Sequence, residues 1–473
     1  MYLSFFSILV IFLCFQVLKV NIVLVSNNNE VKKSFTPNTV PAGNHASYDL
    51  NIVMSEKEEF EVIAKVKVQN KSEDNWTDLV FYFIPNIFTK QTLDSVGQSS
   101  AHPGTVTIPT VKIDGEKVDF SLEQDTLKID LNNELPPSSE VNVSFTYNFT
   151  LPDKGLRYTK NNGNYYLAQF YPMLATYRNK EWNKEDYRFK GETYHTNFSD
   201  FNVTYKLLNG YTLVSTSPND PKEVKQIGTL QANNVKDFFA VILKEHFLIE
   251  KEVGNTNIRL FGFGDDKQLS QEVSEIASEA FMYFEKTIGP YPHNQLDIVL
   301  DGKSMEYPGV VTAYSIDDHA KLPPALLKST VVHEIAHQWF YGIISNDPYH
   351  EAWLDEGFAE FATGLYFYSK LNEGVPYSNL NEVVKGLDQL PVNLSLDQYE
   401  QDKQSSYIYG KSNVMLWKLF EKRGEIKEAE KFVKKYYDNY KFKEIDSEEF
   451  IRFIKYYFNL KDNSVFKDWL EVK

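Results

Sequence analysis

The chain has 473 residues, 42% hydrophobic and 24% charged, which is the composition of a folded globular protein with room for roughly three domains. A formal net charge of -16 with no basic stripe argues against a nucleic-acid partner. The single cysteine, Cys14, excludes an internal disulfide and gives no firm sign of compartment.

Residues 1–25 are almost wholly apolar, interrupted mainly by Gln16, Lys19 and Asn21. Residues 1–26 are therefore expected to be a signal peptide or an N-terminal membrane anchor and are set aside from fold reasoning. The absence of a basic leading region and of an Ala-x-Ala site favours an uncleaved anchor, whereas Lys32 and Lys33 beyond it run against export of the rest. The expectation is a cell-surface, membrane-anchored or secreted protein, with residues 27–45 as a polar linker.

From 46 to 250 the dominant hydrophobic period is two. Phe60, Val62, Ala64, Val66 and Val68 alternate with polar neighbours, as do Val141, Val143, Phe145, Tyr147 and Phe149, then Phe201, Val203, Tyr205 and Leu207. Asp114-Gly115 and Asn209-Gly210 fall between such runs and read as hairpin turns. This stretch is expected to be an antiparallel β-sheet domain. Seven Asn-x-Ser/Thr sites (Asn70, Asn75, Asn142, Asn148, Asn197, Asn202 and Asn393) would be glycan acceptors in a eukaryotic secretory route, although an Asn-rich chain produces most of these by chance.

Near residue 250 the period changes. Ser270 is placed to cap a helix carrying Val273, Ile276, Ala277, Ala280, Phe281 and Phe284 on one face and stopping at Gly289-Pro290. Gln295 to Leu300 and Met305 to Ser315 read as strands, a further helix begins near Pro324, and the chain after Tyr409 reads as helical almost to its end. Residues 251–473 form the second expected domain.

Within it stands Val331-Val-His-Glu-Ile-Ala-His-Gln-Trp-Phe340. On a helix, His333 and His337 share a face four residues apart and can close on one metal ion, while Glu334 borders the same groove and can take a proton from a metal-activated water. A catalytic zinc needs a third protein ligand. Eighteen residues beyond His337 comes Glu356, on a stretch with helical apolar spacing through Trp353, Phe358, Phe361 and Leu365. With Gly342 and Asp347-Pro348 between them, the two helices can run antiparallel and return Glu356 to the level of the histidines. Glu360 lies on the same face as Glu356, where it can accept the free N–H of a ligand histidine.

These motifs resemble those of the gluzincin metallopeptidases, specifically the aminopeptidase-N-type zinc aminopeptidases, in which His-Glu-x-x-His is followed after eighteen residues by Glu in a Trp-Leu-Asn-Glu-Gly-Phe-Ala context. Here that context is Trp353-Leu-Asp-Glu-Gly-Phe-Ala359, with Asp355 in place of Asn. The resemblance implies an α+β, multidomain fold, an N-terminal antiparallel β domain followed by a thermolysin-like, mainly helical catalytic domain. It implies one Zn2+ per chain on His333, His337 and Glu356, and peptide substrates with a free N-terminus. Glu306, in Met305-Glu-Tyr307, stands where the family has the Glu of Gly-Ala-Met-Glu-Asn that holds the α-amine, although Lys303, Ser304 and Tyr307 depart from that motif. By the same resemblance Gln169 joins Glu306 at the amine. Tyr409, in Tyr409-Gly-Lys-Ser-Asn-Val-Met-Leu416, donates to the oxyanion, with Tyr407 as the alternative if the register is shifted by two. Only 64 residues follow Tyr409, against a large helical C-terminal domain in many members, which implies a more open site. The expected function is a zinc-dependent aminopeptidase. An endopeptidase on the same metal, and a surface binding protein that retains zinc with weak turnover, are the rival readings.

Overall fold

The computed structural model describes residues 34–153, 155–221, 224–313, 322–371 and 374–472. The apolar segment expected as signal peptide or anchor lies outside them. Among the described residues no helix is long and apolar enough to cross a membrane.

The alternating strands of the first half pair as their period dictates. A seven-stranded sheet runs in the order Ile227–Val235, Ser199–Lys206, Asn44–Met54, Phe60–Asn70, Glu140–Thr150, Thr105–Ile113 and Glu116–Lys117. All neighbours are antiparallel except Asn44–Met54 with Ser199–Lys206, which are parallel. Along Phe60–Asn70 every second residue is buried, so one face of the sheet packs inward while the other carries Glu61, Lys65 and Lys67 to solvent. The inward face meets two four-stranded sheets through one apolar cluster that includes Leu50, Phe60, Phe81, Phe145 and Tyr147.

Asp114 and Gly115 both have positive φ, at 46° and 91°, and close the expected hairpin between Thr105–Ile113 and Glu116–Lys117. Asn209-Gly210 also turns, with Gly210 at φ 85°, but its flanking strands enter different sheets and do not pair. Asn70 is fully buried, with its side-chain amide donated to Asp74 O and Leu135 O, so this sequon is closed to modification in the folded chain.

The second half carries a four-stranded sheet beside its helices. Phe247–Val253, Thr256–Gly262, Gln295–Val299 and Val310–Thr312 form a four-stranded sheet, antiparallel at the first pair and parallel at the next two. Gln295–Val299 is buried at all five positions. A strand covered on both faces shows no alternation, and here the short apolar run marks it instead.

Helix α1 (Lys267–Thr287) is capped by Asp266, whose carboxylate accepts from Leu269 N at 3.0 Å. Ser270, expected as the cap, sits one turn in; its hydroxyl accepts from Phe263 N and donates to Asp266 O. Helix α2 (Pro324–Ala336) starts at the proline that the spacing marks, and helix α3 (Trp353–Leu371) packs against it. Helices α4 (Glu425–Tyr440) and α5 (Ser447–Phe458) cover α3 through Phe358, Phe432, Tyr436 and Phe450.

Candidate active site

Helices α2 and α3 bring the three expected ligand atoms together. His333 Nε2 and His337 Nε2 are 3.0 Å apart, and Glu356 Oε2 lies 3.3 Å from the first and 3.1 Å from the second. Among the described residues these three form the one group of His, Cys, Asp and Glu side chains placed to hold a metal ion. Corners of a tetrahedron drawn around zinc with bonds of about 2.0–2.1 Å stand roughly 3.3–3.4 Å apart, so the spacing fits that ion with little adjustment.

The rings are held from behind. His337 Nδ1 donates to Phe340 O at 3.0 Å, which leaves Nε2 with its lone pair facing the cluster. His333 Nδ1 lies 3.3 Å from Glu360 Oε1, within ion-pair distance but without the hydrogen bond expected of that carboxylate. Tyr409 rises from a π-helical turn, Ser406–Lys411, lies over the His333 ring with centroids 6.0 Å apart, and donates its hydroxyl to Glu356 Oε1. Tyr407 points elsewhere, donating to Asp388 O and stacking on Tyr399.

A cavity of about 550 Å³ opens beside the cluster, and His333, Glu334, His337, Glu356, Tyr409 and Glu306 are on its wall. Burial pushes the Glu334 carboxyl up to about 7, with His333 and His337 opposing the rise. Burial works against ionisation of Glu356 too, but the two imidazoles outweigh it and hold that carboxyl well below the usual range. Burial, with Glu356 next to it, pushes the Asp355 carboxyl up to about 8.

Glu306 reaches the same cavity from the segment bridged to the sheet at Met305 and Thr312. Burial raises its pKa well above that of a free carboxyl, Glu192, Glu334 and Glu356 add to the rise, and Arg157 opposes it. Gln338, the residue after the second histidine, clamps this segment to the metal helix. Its amide donates to Tyr307 O at 3.0 Å and accepts from Gly309 N at 2.9 Å. The side chain of Tyr307 stacks on Phe239, with ring centroids 3.8 Å apart.

Glu192, which sequence reasoning missed, lines the cavity as well. It pairs with the buried guanidinium of Arg157. Residues 188–192 form a strap from the first half that crosses to the segment near 400, with Lys190 Nζ on Gln401 O and Arg188 3.9 Å from Asp397. Gly191, at φ 79°, passes so near Leu396 that a Cβ there would stand 2.8 Å from its Cδ1. Nothing local marks these residues. Gln169 is not brought to the site: it is 4% exposed, has φ 56°, and is not among the residues lining the cavity.

Residues 273–469 match the model of the Peptidase family M1 domain. Over this segment, which carries the three-residue cluster, the chain is similar to peptidase family M1. Mouse "Aminopeptidase B" is 26% identical over 215 residues, 41% of this chain and 32% of that protein. "Leucine aminopeptidase 2" of Candida albicans is 21% identical over 449 residues, 82% of this chain and 66% of that protein. The chain thus spans about a third of the first curated relatives it matches. Among solved structures, a point mutant of an M1 zinc metallopeptidase from Deinococcus radiodurans superposes with a TM-score of 0.64 at 15% identity, covering 87% of this chain and 91% of that one. The same mutant enzyme bound to a Tyr-Ser-Ala substrate gives 0.63 at 14% identity, covering 89% and 93%. These M1 structures share the fold of the described residues.

Proposed function

We propose that this chain is a zinc-dependent aminopeptidase that removes the N-terminal residue from peptides with a free α-amine, using one Zn2+ held by His333, His337 and Glu356. The observation that carries the reading is the joint presence, on one cavity, of three ligand atoms at tetrahedral spacing, the base Glu334, and the carboxylates of Glu306 and Glu192. The names of its relatives agree with it.

A zinc ion in this site supplies Lewis acidity to the scissile carbonyl and lowers the pKa of water there. Glu334 takes the proton of the attacking water and delivers it to the leaving amine; a carboxyl raised toward neutrality suits both halves of that shuttle. The Tyr409 hydroxyl, now on Glu356 Oε1, stands where it can donate instead to the oxyanion. Glu306 and Glu192 face the substrate ammonium, and with Arg157 behind Glu192 the group carries one net negative charge when both carboxylates are ionised. An acylated N-terminus would leave that charge unpaired in a buried setting, at a cost of about 1–3 kcal/mol or more. The strap closes one side of the cavity and supports cleavage one residue from the end.

The deciding experiment compares a peptide with its N-acetylated form, with and without chelator. Release of the first residue from the free peptide alone, abolished by chelation, is the expected result. Equal turnover of both forms would make the enzyme an endopeptidase.

A further inference from the structure

Behind the cavity, two tyrosine hydroxyls from different parts of the chain converge on one carboxylate oxygen. Asp237, just past the strand Ile227–Val235, is 4% exposed, and its Oδ2 accepts from Tyr341 at 2.8 Å and from Tyr194 at 3.1 Å. The two hydroxyls are themselves 3.1 Å apart. Asp237 Oδ1 has no hydrogen-bond partner among the described residues, so the carboxylate is oriented by the tyrosines alone.

The positions of those tyrosines give the arrangement its meaning. Tyr341 lies four residues after His337, in the turn that leaves the metal helix, and its φ of 122° is one that residues with a side chain rarely adopt. A strained turn persists only where its surroundings hold it, and the buried hydroxyl is such a hold. Tyr194 lies two residues after Glu192, just past the strap. The shared acceptor therefore ties the end of the metal helix to the segment that presents Glu192 to the cavity. Burial pushes the Asp237 carboxyl up to about 6, with the Tyr341 and Tyr194 bonds opposing and nearby Glu192 adding, so at neutral pH both hydroxyls meet a charged acceptor, the stronger kind.

We propose that Asp237 is a positioning residue of the peptidase site: through Tyr194 and Tyr341 it sets where Glu192 stands relative to His337, and so where a substrate ammonium stands relative to the metal. The proposal rests on the aminopeptidase reading for its consequence in catalysis. Asp237 touches neither substrate nor metal, and its effect belongs in amine binding rather than in proton transfer.

The test is a double-mutant cycle on the zinc-loaded full chain. Tyr194→Phe and Tyr341→Phe each remove one hydroxyl and keep the ring. Each is expected to raise KM for a free-amine peptide about 5-fold with kcat within 2-fold, and to weaken binding of free L-tryptophan, read by calorimetry, by a similar factor. Because both act through one oxygen, the double variant is expected to lose about as much as either single one, not the roughly 25-fold product of independent effects. Asp237→Asn, which keeps one neutral acceptor, is expected to recover part of the loss seen in Asp237→Ala. Multiplying effects, or variants that melt earlier with KM and L-tryptophan affinity unchanged, would overturn the proposal and leave a purely structural contact. A wild-type chain that binds L-tryptophan without cleaving peptides would overturn the aminopeptidase reading, while the binding cycle would still decide the role of Asp237. A wild-type chain that neither binds nor cleaves overturns both.

Discussion

On the helical wall of the cavity, His333, Glu334 and His337 come from five consecutive residues and Glu356 from the next helix; elsewhere on the wall, Glu192 and Glu306 come from two separate segments, with Arg157 paired to Glu192. The first wall is encoded by helical repeat, since side chains four apart share a face whatever surrounds them. The second exists only once strands and loops are in place. Under the proposed function the helical wall would carry the chemistry and the sheet wall the recognition, where loss is graded. Variants on each side put this division at risk.

The largest effect belongs to the helical wall. Glu334→Gln keeps shape and metal ligands but removes the base, and turnover is expected to fall by about 10²–10⁴-fold with stoichiometric zinc retained. Measuring kcat beside metal content checks it; a variant that keeps wild-type kcat would place the proton shuttle elsewhere.

Next comes the seam between the walls. His195 is buried with Nδ1 3.3 Å from Asp347 and Nε2 3.0 Å from Glu444, and Arg178 also pairs with Glu444. Glu444→Gln leaves two cations short of a partner, which typically costs about 3–5 kcal/mol. The pH dependence follows from the directions of the shifts. Burial opposes ionisation of Glu444, but His195 and Arg178 bring its carboxyl down to about 2, so its contribution is present above the free value of 4.5 and is lost as pH falls through about 2. His195 is raised above 6.5 by Glu444 and Asp347 against burial, so its share is full below 6.5 and fades as pH rises through the raised value. The gap in melting temperature between wild type and variant should be widest near pH 5–6 and close toward pH 2.

On the sheet wall, Glu306→Gln is expected to raise KM about 10–100-fold for free-amine peptides and change kcat less, because one charged hydrogen bond to the ammonium is lost and Glu192 remains. Loss confined to kcat would move Glu306 from recognition to chemistry. Glu360→Gln, behind His333, is expected to weaken zinc affinity by about 10-fold, read by competition with a chelator.

The division between walls also describes what the amino-acid order reveals. The convergence of His333, Glu334, His337 and Glu356 was legible because spacing on a helix maps directly onto space, and the place of Tyr409 because Lys411 and Leu416 flank it in register. Glu306 was legible through Met305 beside it. Glu192 and Arg157 were not, since an ion pair between a strand start and a loop has no period and no neighbour to announce it. The buried strand Gln295–Val299 was legible as a short apolar run, but its parallel pairing with Thr256–Gly262 was not, since only the fold sets that register. The seam around His195 joins the first half to residues more than a hundred positions away, a contact that only topology creates.

Gln169 provides the finest test, because there sequence context and folded geometry point in opposite directions. Its setting, Tyr166-Leu-Ala-Gln-Phe-Tyr171, resembles the segment that sends a Gln to the amine in related enzymes, yet the side chain is buried away from the cavity wall with Oε1 lacking a hydrogen-bond partner. Gln169→Leu therefore removes a buried, poorly satisfied polar group and keeps most of its volume, which is near neutral or slightly stabilising in energy. KM for a free-amine peptide is expected to change less than about 2-fold, well under the shift in Glu306→Gln. A KM shift of the size seen with Glu306→Gln would mean that the loop carrying Gln169, at φ 56°, turns toward the ligand when substrate binds. The sheet wall would then be assembled by substrate, whereas the helical wall stands ready before it arrives.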